Sequence, residues 1–360
     1  MTATTLANAI FCNRPVKTLE TNRYHRQELL PQIGAAGQAK IAQGRILLVG
    51  CGALGGVIAE QLVRAGVGSM RIVDRDVVEW TNLQRQVLFD ESDARDGLPK
   101  AVAAARRLAA INSSVAVEPV VADVHSGNVE ALADSAQLIL DGTDNVETRY
   151  LVNDVAVKHG MPWVYGACVG TEGRVMPVIP GRTACLRCVF PEPPAGAELP
   201  TCDTAGVLGP VAGIVASMQA VIAIKLLSGN APDVRPELWS ADLWNGRART
   251  IEVQRRADCP ACAGREFTFL SRRAGQSTTL CGRQSVQVRP ADSSTRLDLS
   301  AAAQKLKGVG EVQQTPYLVR CRLPGETPVE LTLFIDGRLI VTGTTDRDNA
   351  RSLYARYVGS

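Results

Sequence analysis

The chain has 360 residues, 46% of them hydrophobic and 21% charged, with a net charge of +3. That length admits one large domain and one small one, the composition is that of a globular chain, and the charge is too small to argue for nucleic acid on its own. No run of about 20 uninterrupted apolar residues occurs, and no charged n-region, apolar run and cleavage site open the sequence, so neither a membrane nor a nucleic-acid partner is expected and a reducing cytoplasm is the expected compartment.

Residues 1–20 read as a loose extension. RILLVG, residues 45–50, has the length and aliphatic composition of a buried parallel strand. GCGALGG follows at once, then VIAEQLVRAGV at helical spacing. Gly50, Gly52 and Gly55 therefore sit in a strand–turn–helix setting, where glycine lets the backbone approach a phosphate and the helix N-terminus offers free N–H groups. SMRIVD, residues 69–74, is the next strand, and Asp74 at its end is placed to receive ribose hydroxyls. Taken alone, this pattern fits an NAD or FAD enzyme and does not identify the ligand.

DRDVVEWTNLQRQVLF follows, carrying Asp76, Asn82, Arg85 and Gln86, with Lys100 and Asp144 further on. A phosphoryl substrate needs cations against its oxygens and carboxylates for magnesium. Arg85 and Lys100 supply the first and Asp144 the second, and a hydride-transfer enzyme needs neither. AVAAARRLAAIN, 101–112, is a helix; VAVEPVVAD, 115–123, and AQLILDGTD, 136–144, are further strands. The expected fold is α/β: a Rossmann-like, mostly parallel sheet with helices on both faces.

CLRC and CPAC bring Cys185, Cys188, Cys259 and Cys262 into two CxxC pairs separated by a folded segment. Such spacing reads as one tetrahedral structural zinc site stapling the crossover segment. Cys202 stands apart in the polar stretch PTCDTAG, whereas Cys51, Cys168, Cys281 and Cys321 read as small core residues. Residues 207–229 are apolar, but Pro210, Gln219 and Lys225 interrupt them, which suits a buried helix with Met218 in its core face. A polar interval, 268–282, is the expected linker, and Arg272 and Arg273 in it read as solvated surface. Beyond it, 283–360 read as a small α/β domain in the order β, α, β, hairpin, α, with Asp336-Gly337 at the hairpin turn.

RYHRQ at 23–27, GCGALGG at 50–56, the 74–89 segment, LPK at 98–100, DGTDNVETRYLVND at 141–154, YGACVGTEGRV at 165–175, CLRCVFPEPP at 185–194 and CDTAGVLGPVAGIVASMQAVIAIKLLSG at 202–229 together resemble the MoeB/ThiF-type adenylyltransferases of the ubiquitin-activating enzyme superfamily. The resemblance spans roughly 20–265, so 21–267 is the expected adenylation domain. It implies ATP and Mg2+ as ligands. It also implies a ubiquitin-like sulfur carrier ending in Gly-Gly as the protein substrate, in thiamine or molybdopterin synthesis. Residue by residue, it implies that Gly50, Gly52 and Gly55 shape the nucleotide loop, Asp74 holds the ribose with Asp76 beside it, Asn82, Arg85 and Lys100 hold the phosphates, and Asp144 binds magnesium. Arg26 resembles an arginine that reaches the phosphates across a dimer interface, so a homodimer is implied, while His25 beside it reads as structural. Cys202 resembles a cysteine that in some members bonds covalently to the carrier. Thr204 stands where many relatives have an acidic residue. The tail is too short for the sulfur-delivering rhodanese domain of some relatives, leaving a separate sulfurtransferase as a partner. The alternatives are an activating enzyme for a peptide or another ubiquitin-like modifier, an NAD-dependent oxidoreductase, and a scaffold without catalysis.

Overall fold

The computed structural model describes residues 22–194, 202–272, 277–280, 284–289, 296–325 and 329–359. The extension expected at 1–20 lies outside them, as do Arg273 and Cys281. Five strands pair in parallel, β1 (Arg45–Val49), β2 (Ser69–Asp74), β3 (Ala116–Val121), β4 (Leu138–Asp141) and β5 (Trp163–Val169). Three more, β6 (Glu172–Val178), β7 (Glu237–Asp242) and β8 (Arg247–Glu252), continue the sheet antiparallel. The order is β3-β2-β1-β4-β5-β6-β7-β8.

Two helices, α1 (His25–Glu28) and α2 (Gly34–Ile41), precede β1, and α3 (Ala53–Arg64) follows it. Next come α4 (Glu91–Asp96) and α5 (Lys100–Ile111) before β3, α6 (Val129–Ala133) before β4 and α7 (Val146–His159) before β5. The short α8 (Leu186–Val189) and α9 (Cys202–Ala205), then the long α10 (Gly209–Ser228), lie between β6 and β7. Successive residues of a strand point to opposite faces. Ile46 and Leu48 of β1 therefore enter one core, with α3, α5 and α10, while Leu47 and Val49 enter the other, with α7. This is why RILLV is aliphatic without alternation: both its faces are covered. Ile58, Leu62 and Leu108 are wholly buried there, each worth roughly 2 kcal/mol by area.

α10 is the one helix among the described residues with the length and apolarity to cross a bilayer. It packs instead on α3 and β5 through Val211, Val215 and Ala223. Gln219, on the same face, is fully buried and donates to the carbonyls of Asp141 and Val164, so its polarity is used inside the core. Met218 packs against that core.

The two ends of the sheet differ. β3 carries Pro119, which has no N–H to donate, and among the described residues it pairs only with β2. β8, at the far end, is exposed along its whole length.

After β8 the chain forms α11 (Thr268–Ser271), whose Phe269 is buried against α7. A second, fully antiparallel sheet then combines β9 (Ser277–Leu280), β10 (Ser285–Val288), β11 (Glu311–Gln314), β12 (Leu318–Leu323), β13 (Val329–Phe334) and β14 (Leu339–Thr342). Its order is β11-β12-β13-β14-β10-β9. Helix and strand thus occupy much of the 268–282 interval read as a linker. β9 and β11 are additions to the elements read from sequence; both are polar, short and without alternation. Helices α12 (Leu299–Lys307) and α13 (Arg347–Tyr357) cover one face of this sheet over Val286, Val319, Cys321, Leu331 and Val341. The other face lies on the first unit, where Leu318, Phe334 and Ile340 meet Val77 and Val121.

Candidate active site and thiol cluster

The order β3-β2-β1-β4 reverses direction between β1 and β4, and a doubly wound sheet opens a crevice at that point. Gly50 ends β1 there with φ +87°, and a Cβ on it would stand 2.7 Å from the carbonyl carbon of Gly142. A Cβ on Gly55 would fall 2.0 Å from the Gly50 oxygen, so α3 and β1 touch backbone to backbone. The cleft so made is lined by Gly50, Gly52, Asp74, Asp76, Arg85, Gln86, Lys100 and Asp144. Arg75, Asp123, Asn145, Arg149 and Cys168 line it too.

Asp74 accepts from the Cys51 N–H at 2.6 Å and from the Asp76 N–H at 2.7 Å. Its carboxylate is thereby oriented at the mouth of the glycine turn with lone pairs left for hydroxyls. Burial pushes its pKa up, Lys100 opposes that and Asp76 adds to it. Lys100 is 4% exposed, and its Nζ lies 3.3 Å from Asp76 Oδ2. Arg85 donates to the Thr81 carbonyl at 2.8 Å and borders the cleft. Gln86 is buried, and its Oε1 has no partner among the described residues, an acceptor that a nucleotide donor would satisfy.

Asp144 is exposed at the rim, on a loop pinned from below. Arg149 donates to Asp141 Oδ2 at 3.0 Å, to the Thr143 carbonyl at 2.6 Å and to the Gly166 carbonyl at 3.1 Å. Asp141 accepts the Thr143 N–H, and Asn145 caps α7 through the Thr148 N–H. Burial opposes the charge on Arg149, and Asp141, by charge and hydrogen bond, together with Tyr165 and Asp144 outweighs it. Reading the sequence gave Arg149 no role; an apolar strand ending in aspartate with an arginine eight residues on was the available signal.

Asn82 and Gly55 are not in the lining. Asn82 is 1% exposed and accepts the Glu79 N–H in a capping box, so it holds the 80–82 turn that presents Arg85. Arg26 is exposed on α1. Its neighbours Tyr24 and Gln27 bond to Asn112 and to the Ala65 carbonyl, at the C-terminal ends of α5 and α3. The cleft is at the other end of α3, some 18 Å away for a helix of 12 residues. Arg26 therefore does not join the cleft of its own chain. Cys202 opens α9, but its side chain lies outside the described residues. Cys51 is buried, and burial pushes its thiol far up, which leaves it inert.

The four cysteines of the CxxC pairs converge away from the cleft, their Sγ atoms all within 4.8 Å. Cys185–Cys188, Cys185–Cys259 and Cys188–Cys262 stand at 3.8, 3.5 and 3.4 Å. Tetrahedral zinc with bonds of about 2.3 Å sets its sulfurs ~3.8 Å apart, so the donor set fits that ion. The Arg256 N–H points at Cys188 Sγ from 3.4 Å, support of the kind thiolate ligands receive. The Cys185 thiol, by donating to it, holds Cys188 well below the usual thiol range, while the same contact pushes Cys185 up. Four thiols this close cannot all ionise without a cation between them.

A ThiF family model matches residues 24–261. The sulfur carrier protein ThiS adenylyltransferase of Bacillus subtilis is 46% identical over 343 residues, 94% of this chain and 100% of that protein. The sulfur carrier protein adenylyltransferase of Thermus thermophilus is 40% identical over 248 residues, 68% of this chain and 91% of that one. Among solved structures, E. coli MccB with ATP superimposes with a TM-score of 0.59 at 21% identity, covering 68% of this chain and 75% of its own.

Proposed function

This chain belongs to the ThiF family, and from that premise we propose that it is an ATP-dependent adenylyltransferase acting on the C-terminal glycine carboxylate of a ubiquitin-like sulfur carrier. The observation that carries the reading is the gathering of the glycine turn, Asp74, Arg85, Lys100 and Asp144 around one cleft. The two sulfur-carrier adenylyltransferases above support the class of substrate, ThiS in the Bacillus protein.

A free carboxylate is a poor acyl donor because its leaving group would be oxide. In the proposed step a carboxylate oxygen attacks the α-phosphorus of ATP. The bond from that phosphorus to the bridging oxygen breaks, and pyrophosphate leaves with the electron pair. The protein's task is alignment and charge stabilisation. Lys100, braced by Asp76, and Arg85, braced by the Thr81 carbonyl, stabilise charge on the phosphate oxygens. Asp74 orients the ribose, with its own direction fixed by two backbone N–H groups. Asp144, exposed at the rim, would hold magnesium, which would supply positive charge against the phosphates. Arg149 keeps the loop of Asp144 in place.

Four finer points belong to this reading. Zinc sits among Cys185, Cys188, Cys259 and Cys262 and anchors the crossover. Arg26, too far from its own cleft, acts in that of a second copy, which makes the working unit a dimer. Adenylation does not need Cys202; that thiol serves the later covalent capture of the activated carrier. A sulfurtransferase supplies the sulfur. Carrier-dependent ATP–pyrophosphate exchange tests the main claim, with carriers ending in Gly-Gly offered in turn. Exchange with a thiamine-pathway or molybdopterin-pathway carrier is expected. Absence of exchange with every carrier, from protein that binds ATP, would refute it.

A further inference from the structure

The second sheet turns one face to its own helices and the other to the nucleotide unit, and the second face carries buried polar groups where apolar ones would suffice. Gln287 is 0% exposed and Arg338 2%. Both reach across to the ends of β2 and β3. Gln287 Nε2 donates to Asp123 Oδ2 at 2.7 Å, and Arg289 Nε donates to the same oxygen at 3.0 Å, with its Nη2 also on it. Arg338 Nη1 donates to the Arg75 carbonyl at 3.1 Å and to Gln287 Oε1 at 3.4 Å. The other Asp123 oxygen is left for Arg75, whose Nη1 lies 3.2 Å away. Arg75 Nε is in turn 3.8 Å from Asp76.

Arg75 and Asp123 both line the nucleotide cleft. In a doubly wound sheet the phosphates sit at the glycine turn after β1 and the ribose at the acid ending β2. The space from Asp74 toward the end of β3 therefore takes the base, and Arg75 and Asp123 border it. Burial alone would push the Asp123 carboxyl up, but Arg75, Arg289 and Arg338 outweigh burial and keep it below the usual carboxylate range. Without Gln287 and Arg289 that carboxylate would lose the partners that fix its Oδ2, and Arg75, held by its other oxygen, would lose its fixed place at the cleft.

Resting on the adenylyltransferase reading, we infer that the C-terminal domain is a working part of the ATP site: Gln287, Arg289 and Arg338 are positioning residues that act through Asp123 to hold Arg75 against the base and ribose end of the nucleotide.

The test uses the full-length protein with ATP alone, by calorimetry, and then exchange kinetics. Arg289→Met and Gln287→Leu are each expected to weaken ATP binding roughly tenfold and to raise the KM for ATP in exchange by a similar factor, with kcat within about twofold. Arg289→Lys should recover part of the loss. In an Arg75→Met background the Arg289→Met change should cost nothing more, because its effect passes through Arg75. A merely structural role would give losses that add to that of Arg75→Met, or a fall in kcat, and either overturns the inference. ATP affinity unchanged in both domain variants overturns it as well. Wild-type protein that binds no ATP overturns the underlying reading, and this inference with it.

Discussion

In the nucleotide cleft the charged side chains already have partners: Asp74 has two backbone N–H groups, Lys100 has Asp76, and Arg149 has Asp141 and two carbonyls. In the thiol cluster four sulfurs have little but one another. The cleft is a site that the fold holds ready, so its side chains can be changed while the fold stands. The cluster is a site whose proposed zinc would hold the fold, since it would tie residues 185–188 to 259–262 across 74 positions. Chemistry and architecture are thus separable in one place and inseparable in the other.

The largest expected effect falls on the cluster. Cys188→Ser, or removal of zinc by a strong chelator, should cost more than about 4 kcal/mol of stability and release the crossover. Metal analysis should find one zinc per chain, and unchanged thermal unfolding after verified metal loss would dissolve the contrast. Next comes a change that breaks the contrast from the other side. Gly55→Ala puts a methyl group 2.0 Å from the Gly50 oxygen, so stability should fall by about 3 kcal/mol together with ATP affinity. Loss of affinity without loss of stability would mean that the loop accommodates the methyl group.

Asp144→Ala should separate the two properties cleanly. The residue is exposed, so unfolding should shift by less than about 0.5 kcal/mol, while exchange falls roughly a hundredfold. A matched loss of stability would argue that Asp144 supports its loop rather than the reaction. The last effect, confined to a narrow pH window, concerns Asp154, on α7, which accepts the Phe269 and Leu270 N–H groups beside α11. Burial pushes its pKa up to about 6, above that of the unfolded chain. The folded state therefore holds this proton more tightly. The stability it contributes is full below about pH 4 and is lost as pH rises through 6. Asp154→Asn should remove that decline and leave the protein more stable at pH 7 by at most about 3 kcal/mol. Denaturant unfolding between pH 4 and 7 reads it, and an unchanged slope would assign the titration elsewhere.

What the sequence made legible was local or spaced by a rule. Strand, glycine turn and helix follow one another in a single run, so Gly50, Gly52 and Asp74 could be placed without a structure. The two CxxC pairs are recognised by their spacing even 74 residues apart. The Asp123 network was not legible, because its partners are 164 to 166 positions away and joined by no periodicity. Arg338 reaches Arg75 over 263. Asn82, expected at the phosphates, caps the 80–82 turn behind Arg85, and a cap and a ligand ask for the same side chain, so the sequence does not tell them apart. Arg149 escaped because two of its three partners are carbonyls, which leave no mark in the sequence, and its third, Asp141, left only an eight-residue spacing.

The outermost strand of the large sheet, β8, reads RARTIE and among the described residues pairs on one side only. A free row of N–H and C=O groups invites another chain to add to it and can seed fibrous aggregation. Arg247, Arg249 and Glu252 guard that row with charge, while Ile251 is the lone large apolar side chain on it. These three charges are expected to keep the open edge from pairing with another chain. A variant with valine at 247 and 249 would be expected to keep its turnover and lose its shelf life.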